Sequence, residues 1–159
     1  MNGEEIVRTY SDMIYKVAMR YVRNPVDADE VYTDVFYRYF RREREFQSEE
    51  HRKAWLLRVT VNSSKDLLIK RHYDVDIDGE FFDESLTSVS FSGTDISQEE
   101  IMDVRNAVKK LKDDYREVIE LYYFCGFNTR EISNMLDRAE NTVKSQLRRG
   151  RDSLKELLS

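Results

Sequence analysis

The chain has 159 residues, of which 36% are charged, with a mean hydropathy of −0.69 and a formal net charge of −5. No apolar run nears the ~20 residues of a membrane-spanning helix, and the start MNGEEIVRTY lacks the basic-then-apolar pattern of a secretory leader. One cysteine, Cys125, excludes a disulfide scaffold or thiolate cluster, and five glycines with one proline point to long helices, so the expectation is a cytoplasmic, all-α chain without cofactor.

The first helix is read from Ile6, Tyr10, Met13, Ile14, Val17 and Tyr21, which fall on one face at helical spacing. Asn24-Pro25 resets the chain. Asn24 can cap, and Pro25 suits a first helical position, where no N–H is needed. Ala28, Val31, Tyr32, Val35, Phe36, Tyr39 and Phe40 carry the second helix, and the period fades from Arg41 to Gln47. Ser48 is the expected cap of a third helix, with Glu49 and Glu50 in its first turn and Trp55, Val59 and Leu67 as its apolar marks, running to about Lys70. Residues 38–72 hold ten basic and five acidic side chains.

The stretch from Tyr73 to Glu100 has nine acids and no base, with many Ser and Asp. It reads as a flexible linker over residues 73–95, an ordered acidic loop being the other possibility. Domains are therefore expected at 1–72 and 96–159. Ser97-Gln98-Glu99-Glu100 has the pattern of a capping box before Ile101, Val104, Val108 and Leu111. Asp113 opens a further helix closing near Gly126, and Asn128-Thr129-Arg130-Glu131 opens a short one through Leu136. After Asp137 to Glu140 comes a last helix with Val143, Leu147, Leu154, Leu157 and Leu158 apolar and Gly150 on the same face.

A short helix, a tight turn and a longer basic helix form a helix-turn-helix pattern. Lys144, Arg148, Arg151 and Lys155 make one stripe, and Asn141, Thr142, Ser145 and Arg149 occupy the remaining open side. Such a helix fits the major groove, although a solvated face of an ordinary helical hairpin has the same charges. No glycine-rich phosphate loop, Ser/His/Asp set or metal-ligand spacing is present, so no catalysis and no metal are expected. His51 and His72 read as surface residues, and Cys125 reads as buried packing.

Four motifs in order carry a resemblance: Asp27-Ala28-Asp29-Glu30-Val31-Tyr32-Thr33-Asp34-Val35-Phe36; Ala54-Trp55-Leu56-Leu57-Arg58-Val59 with Asn62; Tyr115-Arg116-Glu117-Val118-Ile119; and Thr142-Val143-Lys144-Ser145. With them the sequence resembles the extracytoplasmic-function class of bacterial RNA polymerase sigma factors. The resemblance implies two helical domains, sigma regions 2 and 4, bound to core RNA polymerase through the β′ clamp helices and the β flap. By likeness, Glu30, Asp34, Val35, Phe36 and Arg38 meet polymerase, while Val35 and Phe36 read equally well as core. Phe46, Gln47, Ser48, Arg58, Asn62 and Lys65 match the part that captures the melted −10 strand, with Trp55 read as a buttress of the three-helix core ahead of a base-stacking ring. Thr129, Arg130, Asn141, Thr142, Lys144, Ser145, Arg148 and Arg149 match the part that binds −35 duplex.

The implied partners are promoter DNA, core polymerase and an anti-sigma factor, with a monomer expected when free. The chain departs from the family pattern at Thr33-Asp34, at Lys112, at the turn Asp137-Arg138-Ala139 and at Gln146, where Arg is frequent. Two other readings remain at this stage: a helix-turn-helix regulator that binds duplex without polymerase, and a helical adaptor that binds protein alone.

Overall fold

The computed structural model describes residues 1–43, 45–71 and 98–159. The linker expected at 73–95, His72 and the Ser97 cap lie outside the described residues. The chain divides into two compact units, Met1–Asp83 and Glu84–Ser159. Among the described residues the regular structure is entirely helical.

Unit 1 holds α1 (Gly3–Val22), α2 (Pro25–Arg41) and α3 (Glu49–Arg71), each packed against the other two. Local chemistry sets the boundaries. Asn2 Oδ1 accepts from Glu5 N at 2.8 Å and starts α1. Arg23, left-handed at φ 61°, ends it by donating its N–H to the Met19 carbonyl. Asn24 Oδ1 then accepts from Asp27 N at 2.9 Å, with Pro25 in the first turn of α2, as its sequence predicts. Ser48 Oγ accepts from His51 N at 3.1 Å and starts α3.

The core of unit 1 comes from Ile6, Ile14 and Val17 of α1, Val31 and Val35 of α2, and Leu56, Leu57 and Val61 of α3. Burying each such side chain contributes about 1.5–3 kcal/mol. The core face of α3 keeps Leu67 of the expected residues but is turned away from the other two. Trp55 and Val59 are half-buried, and Leu56, Leu57, Thr60, Val61, Ser64 and Leu67 line the core. Two of these are hydroxyl residues, which hide the apolar period. Each satisfies its hydroxyl one turn back, Thr60 on the Leu56 carbonyl and Ser64 on the Thr60 carbonyl, both at 2.7 Å. Arg71, in the last turn of α3, returns to Asp27 at 3.2 Å and Glu30 at 2.9 Å in the first turns of α2.

Unit 2 holds α4 (Gln98–Lys109), α5 (Asp113–Ile119), α6 (Thr129–Leu136) and α7 (Glu140–Leu158). The expected helix from Asp113 changes character midway: α5 runs into a π-helical turn, Glu120–Phe124, that closes at Gly126 with φ 79°. Val118, Ile119, Leu121, Ile132, Met135, Val143 and Leu147 form the core. The long helix α7 packs on α4, α5 and α6. At Gly150 it comes so near α5 that an added Cβ would lie 2.8 Å from Ile119 Cγ1. The packed face of α7 ends earlier than its apolar period. Leu154 is half-buried, and Leu157 and Leu158 are 45% and 47% exposed. Cys125 is half-buried rather than buried.

Candidate nucleic-acid interface

The helix-turn-helix of unit 2 is built from α6, a three-residue turn and α7. A reciprocal capping box starts α6: Asn128 Oδ1 accepts from Glu131 N at 2.8 Å, and Glu131 Oε1 accepts from Asn128 N at 3.1 Å. Asp137 ends α6 in the left-handed region at φ 54°. Ser133 braces the turn, donating its hydroxyl to the Arg138 carbonyl at 2.6 Å while its own carbonyl accepts from Arg138 N at 3.1 Å. Ala139 stands at the N-cap of α7 without a side-chain bond, as its methyl dictates.

This frame presents most of the residues predicted for duplex binding. Asn141, Thr142, Lys144, Arg148, Arg149 and Arg130 are exposed, and Ser145 and Thr129 are half-buried. Asn141, Thr142, Ser145 and Arg149 converge on one open cleft of about 410 Å³ that Lys112, Asp114 and Tyr115, at the start of α5, also line. Lys144 and Arg148 stand outside that cleft. An acid sits among them: Glu140 accepts from the Thr129 hydroxyl at 3.2 Å and lies 3.8 Å from Lys144 Nζ. Arg151, expected in the basic stripe, lies 6.0 Å from the ring centres of both Tyr122 and Tyr123. Lys112, Glu140 and Gln146 were not predicted as site residues. Lys112 and Gln146 are both positions where the chain departs from the family pattern.

In unit 1 the residues matched to single-strand capture fall into two groups. Arg58 and Asn62 are exposed on α3, and Lys65, on the same side, is half-buried with its ammonium 5.9 Å from the Tyr21 ring centre. At the loop before α3, Gln47 and Ser48 are exposed and Phe46 is half-buried. Phe46 belongs to an aromatic cluster, with ring centres 6.0 Å from Tyr39, 5.6 Å from Trp55 and 5.2 Å from His51. The Arg42 guanidinium packs against Tyr39 at 3.9 Å and Phe46 at 4.3 Å. Phe46 is thus a wall that shapes the loop, and Trp55 buttresses it.

The α2 residues divide by burial. Glu30 and Arg38 are exposed; Asp34 is half-buried, accepting from Arg38 Nε at 3.0 Å and Ser63 Oγ at 2.8 Å. All three line a groove of about 600 Å³ between α2 and α3 that also includes Asp29, Asp66 and Lys70. Val35 and Phe36 do not. They are 0% and 7% exposed, inside the unit's own core, so the expectation that they meet polymerase is corrected. A helix docked on its neighbours along one stripe cannot offer the same stripe to a partner.

Comparison with known proteins places both halves. Residues 6–72 match the family model for sigma-70 region 2, and residues 101–154 match the one for sigma-70 region 4. The chain belongs to the extracytoplasmic-function class of sigma factors. It is 29% identical to the ECF RNA polymerase sigma factor SigW of Bacillus subtilis, over 97% of this chain and 87% of that protein. It is 25% identical to the RNA polymerase sigma-H factor of Pseudomonas aeruginosa, over 96% of this chain and 84% of that one. In fold it is similar to CnrH in complex with the cytosolic domain of CnrY, with a TM-score of 0.67 and 22% identity over 98% of this chain and 86% of CnrH. It is also similar in fold to the sigma factor RpoE of Bartonella quintana in complex with the anti-sigma factor NepR, with a TM-score of 0.66 and 24% identity over 98% of this chain and 95% of RpoE.

This sigma factor therefore directs core RNA polymerase to promoters, and the region 2 match sets aside the duplex-only regulator. No helix among the described residues is long and apolar enough to cross a membrane.

Proposed function

We propose that this sigma factor works as a bipartite promoter clamp with the following division of residues. In unit 2, Asn141, Thr142, Ser145 and Arg149 read base edges of the −35 duplex, while Lys144, Arg148, Arg130 and Thr129 hold phosphates and fix register. In unit 1, Arg58, Asn62 and Lys65 hold the melted −10 strand, with Gln47 and Ser48 at the loop and Phe46 behind it. An extruded base needs polar groups for its edge and cations along its backbone, and this face supplies both. The groove holding Glu30, Asp34 and Arg38 docks the β′ clamp helices of polymerase, pairing charge with charge.

The chain contributes no catalytic group in this reading; phosphoryl transfer belongs to the polymerase core. It acts in the cytoplasm and is a monomer when free. NepR is an anti-sigma factor bound to a protein of the same fold, which supports an anti-sigma partner here.

The observation that carries the −35 assignment is the convergence of Asn141, Thr142, Ser145 and Arg149 on one cleft. Arg149→Ala and Lys144→Ala test it. Both should weaken binding to −35 duplex and spare association with core polymerase; loss of polymerase binding as well would contradict the assignment.

A further inference from the structure

Among the α7 side chains that line the same cleft, one has no role from either the basic stripe or the family likeness. Gln146 lines it beside Ser145 and Arg149, and is half-buried. Its amide has a fixed partner. Arg138, in the turn, donates from Nη1 to Gln146 Oε1 at 3.1 Å. The other end of that guanidinium is held on α5, where Nη2 donates to Glu117 Oε1 and lies 3.5 Å from Asp114 Oδ1. The Arg138 and Glu117 side chains are only 19% and 11% exposed.

Two consequences follow. A guanidinium forked between carboxylates and an amide oxygen keeps its charge and its plane. It also decides which way the Gln146 amide faces, since the reverse orientation would set NH2 against N–H. Oxygen is therefore turned to Arg138. The amide nitrogen, which donates to no described residue, is left for the cleft.

We propose that Gln146 is a specificity-determining residue for the −35 element, its amide N–H donating to a base-edge acceptor, and that Arg138 is its positioning residue. This rests on the reading of α7 as the −35 helix. A purine N7, a guanine O6 or a thymine O4 offers the required acceptor, and none of these tells a side chain apart from its neighbours unless the donor is held in place. Arg138 does the holding from a turn where Ala139 provides no cap.

Selection from a duplex library randomised across the −35 region tests this, using the full chain, with wild type, Gln146→Met and Arg138→Lys compared and circular dichroism confirming the fold. Methionine keeps the length of Gln146 and removes the donor. Lysine keeps a charge for Glu117 but cannot span Glu117 and Gln146 together. Both variants should flatten preference at the same base pair, by about 5- to 150-fold, with the other positions unchanged, and the double variant should be no flatter than Gln146→Met alone. An unchanged profile for Gln146→Met overturns the proposal, and a uniform loss across all sequences makes the contact a phosphate and overturns it too. A flattened profile in Gln146→Met with an intact one in Arg138→Lys removes the role of Arg138. A wild type that selects no sequence removes the −35 reading along with this inference, whereas selection by wild type that Gln146→Met reproduces removes this inference alone.

Discussion

The Thr129 hydroxyl donates to the Glu140 carboxylate at 3.2 Å, tying the first turn of α6 to the first turn of α7. The contact places a negative charge among the side chains proposed to meet DNA, 3.8 Å from Lys144 Nζ. Glu140 thus holds Thr129 and Lys144 in register while repelling the phosphates they are proposed to meet.

Glu140→Gln should therefore tighten duplex binding. The amide keeps an acceptor for Thr129 and removes the charge. The dissociation constant should fall by about 3- to 10-fold in low salt, with the gain shrinking as ionic strength rises. Fluorescence anisotropy at several salt concentrations checks this, and an unchanged constant at low salt would place Glu140 away from the DNA.

Gly150→Ala should destabilise unit 2. Its Cβ would meet Ile119 Cγ1 at 2.8 Å and Cδ1 at 3.1 Å, and Tyr115 Cβ at 3.5 Å. Forcing a methyl into that contact costs about 1–3 kcal/mol, offset by the better helix propensity of Ala, about 1 kcal/mol. Urea denaturation followed by hydrogen exchange should show faster exchange in α5 and α7 and unchanged exchange in unit 1.

How much of this was legible in the sequence depends on whether the signal was local. Asn24-Pro25 and Asn128 to Glu131 declare helix starts through contacts within three residues, and the structure forms both. The core face of α3 was legible only at Leu67, because Thr60 and Ser64 are polar in sequence and satisfied only once the helix exists. Leu157 and Leu158 continue an apolar period past the last turn that packs. Val35 and Phe36 were ambiguous for a related reason: hydrophobicity marks a buried face without saying whether the chain or a partner buries it. The Arg138 network was out of reach, since its partner Glu117 lies 21 positions away and only the fold joins them.

Asn62→Ala should impair promoter opening more than duplex binding. Asn62 is exposed on α3 between Arg58 and Lys65, and a residue proposed to hold unstacked bases has nothing to grip in closed DNA. Permanganate footprinting of thymines in the −10 region should lose signal by about tenfold or less, the size of one polar contact of about 1 kcal/mol. Gel-shift affinity for closed duplex should hold steady. Equal effects on both would count against the single-strand role.

The start of α3 is fastened to α1 by Tyr10, whose hydroxyl donates to Glu49 Oε2 at 2.8 Å. Burial pushes the Tyr10 phenol above its ordinary value of 10.0, against a lowering by Arg52 and with a smaller rise from Tyr39. A raised value in the folded state means that the stabilisation is complete below pH 10 and is lost as pH climbs through the folded value. Tyr10→Phe should cost about 1 kcal/mol at neutral pH. Above pH 10 the wild type should lose stability more steeply than the variant, measured by urea midpoints along a pH series; parallel curves would contradict the buried phenol.

The most direct test of the whole account is run-off transcription with purified core RNA polymerase and this chain, on a template carrying the selected −35 sequence. The chain should co-purify with the core enzyme and yield a transcript of one defined start, and Arg149→Ala should still join the enzyme but lose that transcript. A chain that fails to join the core enzyme, or that binds the template and yields no promoter-dependent transcript, would contradict it.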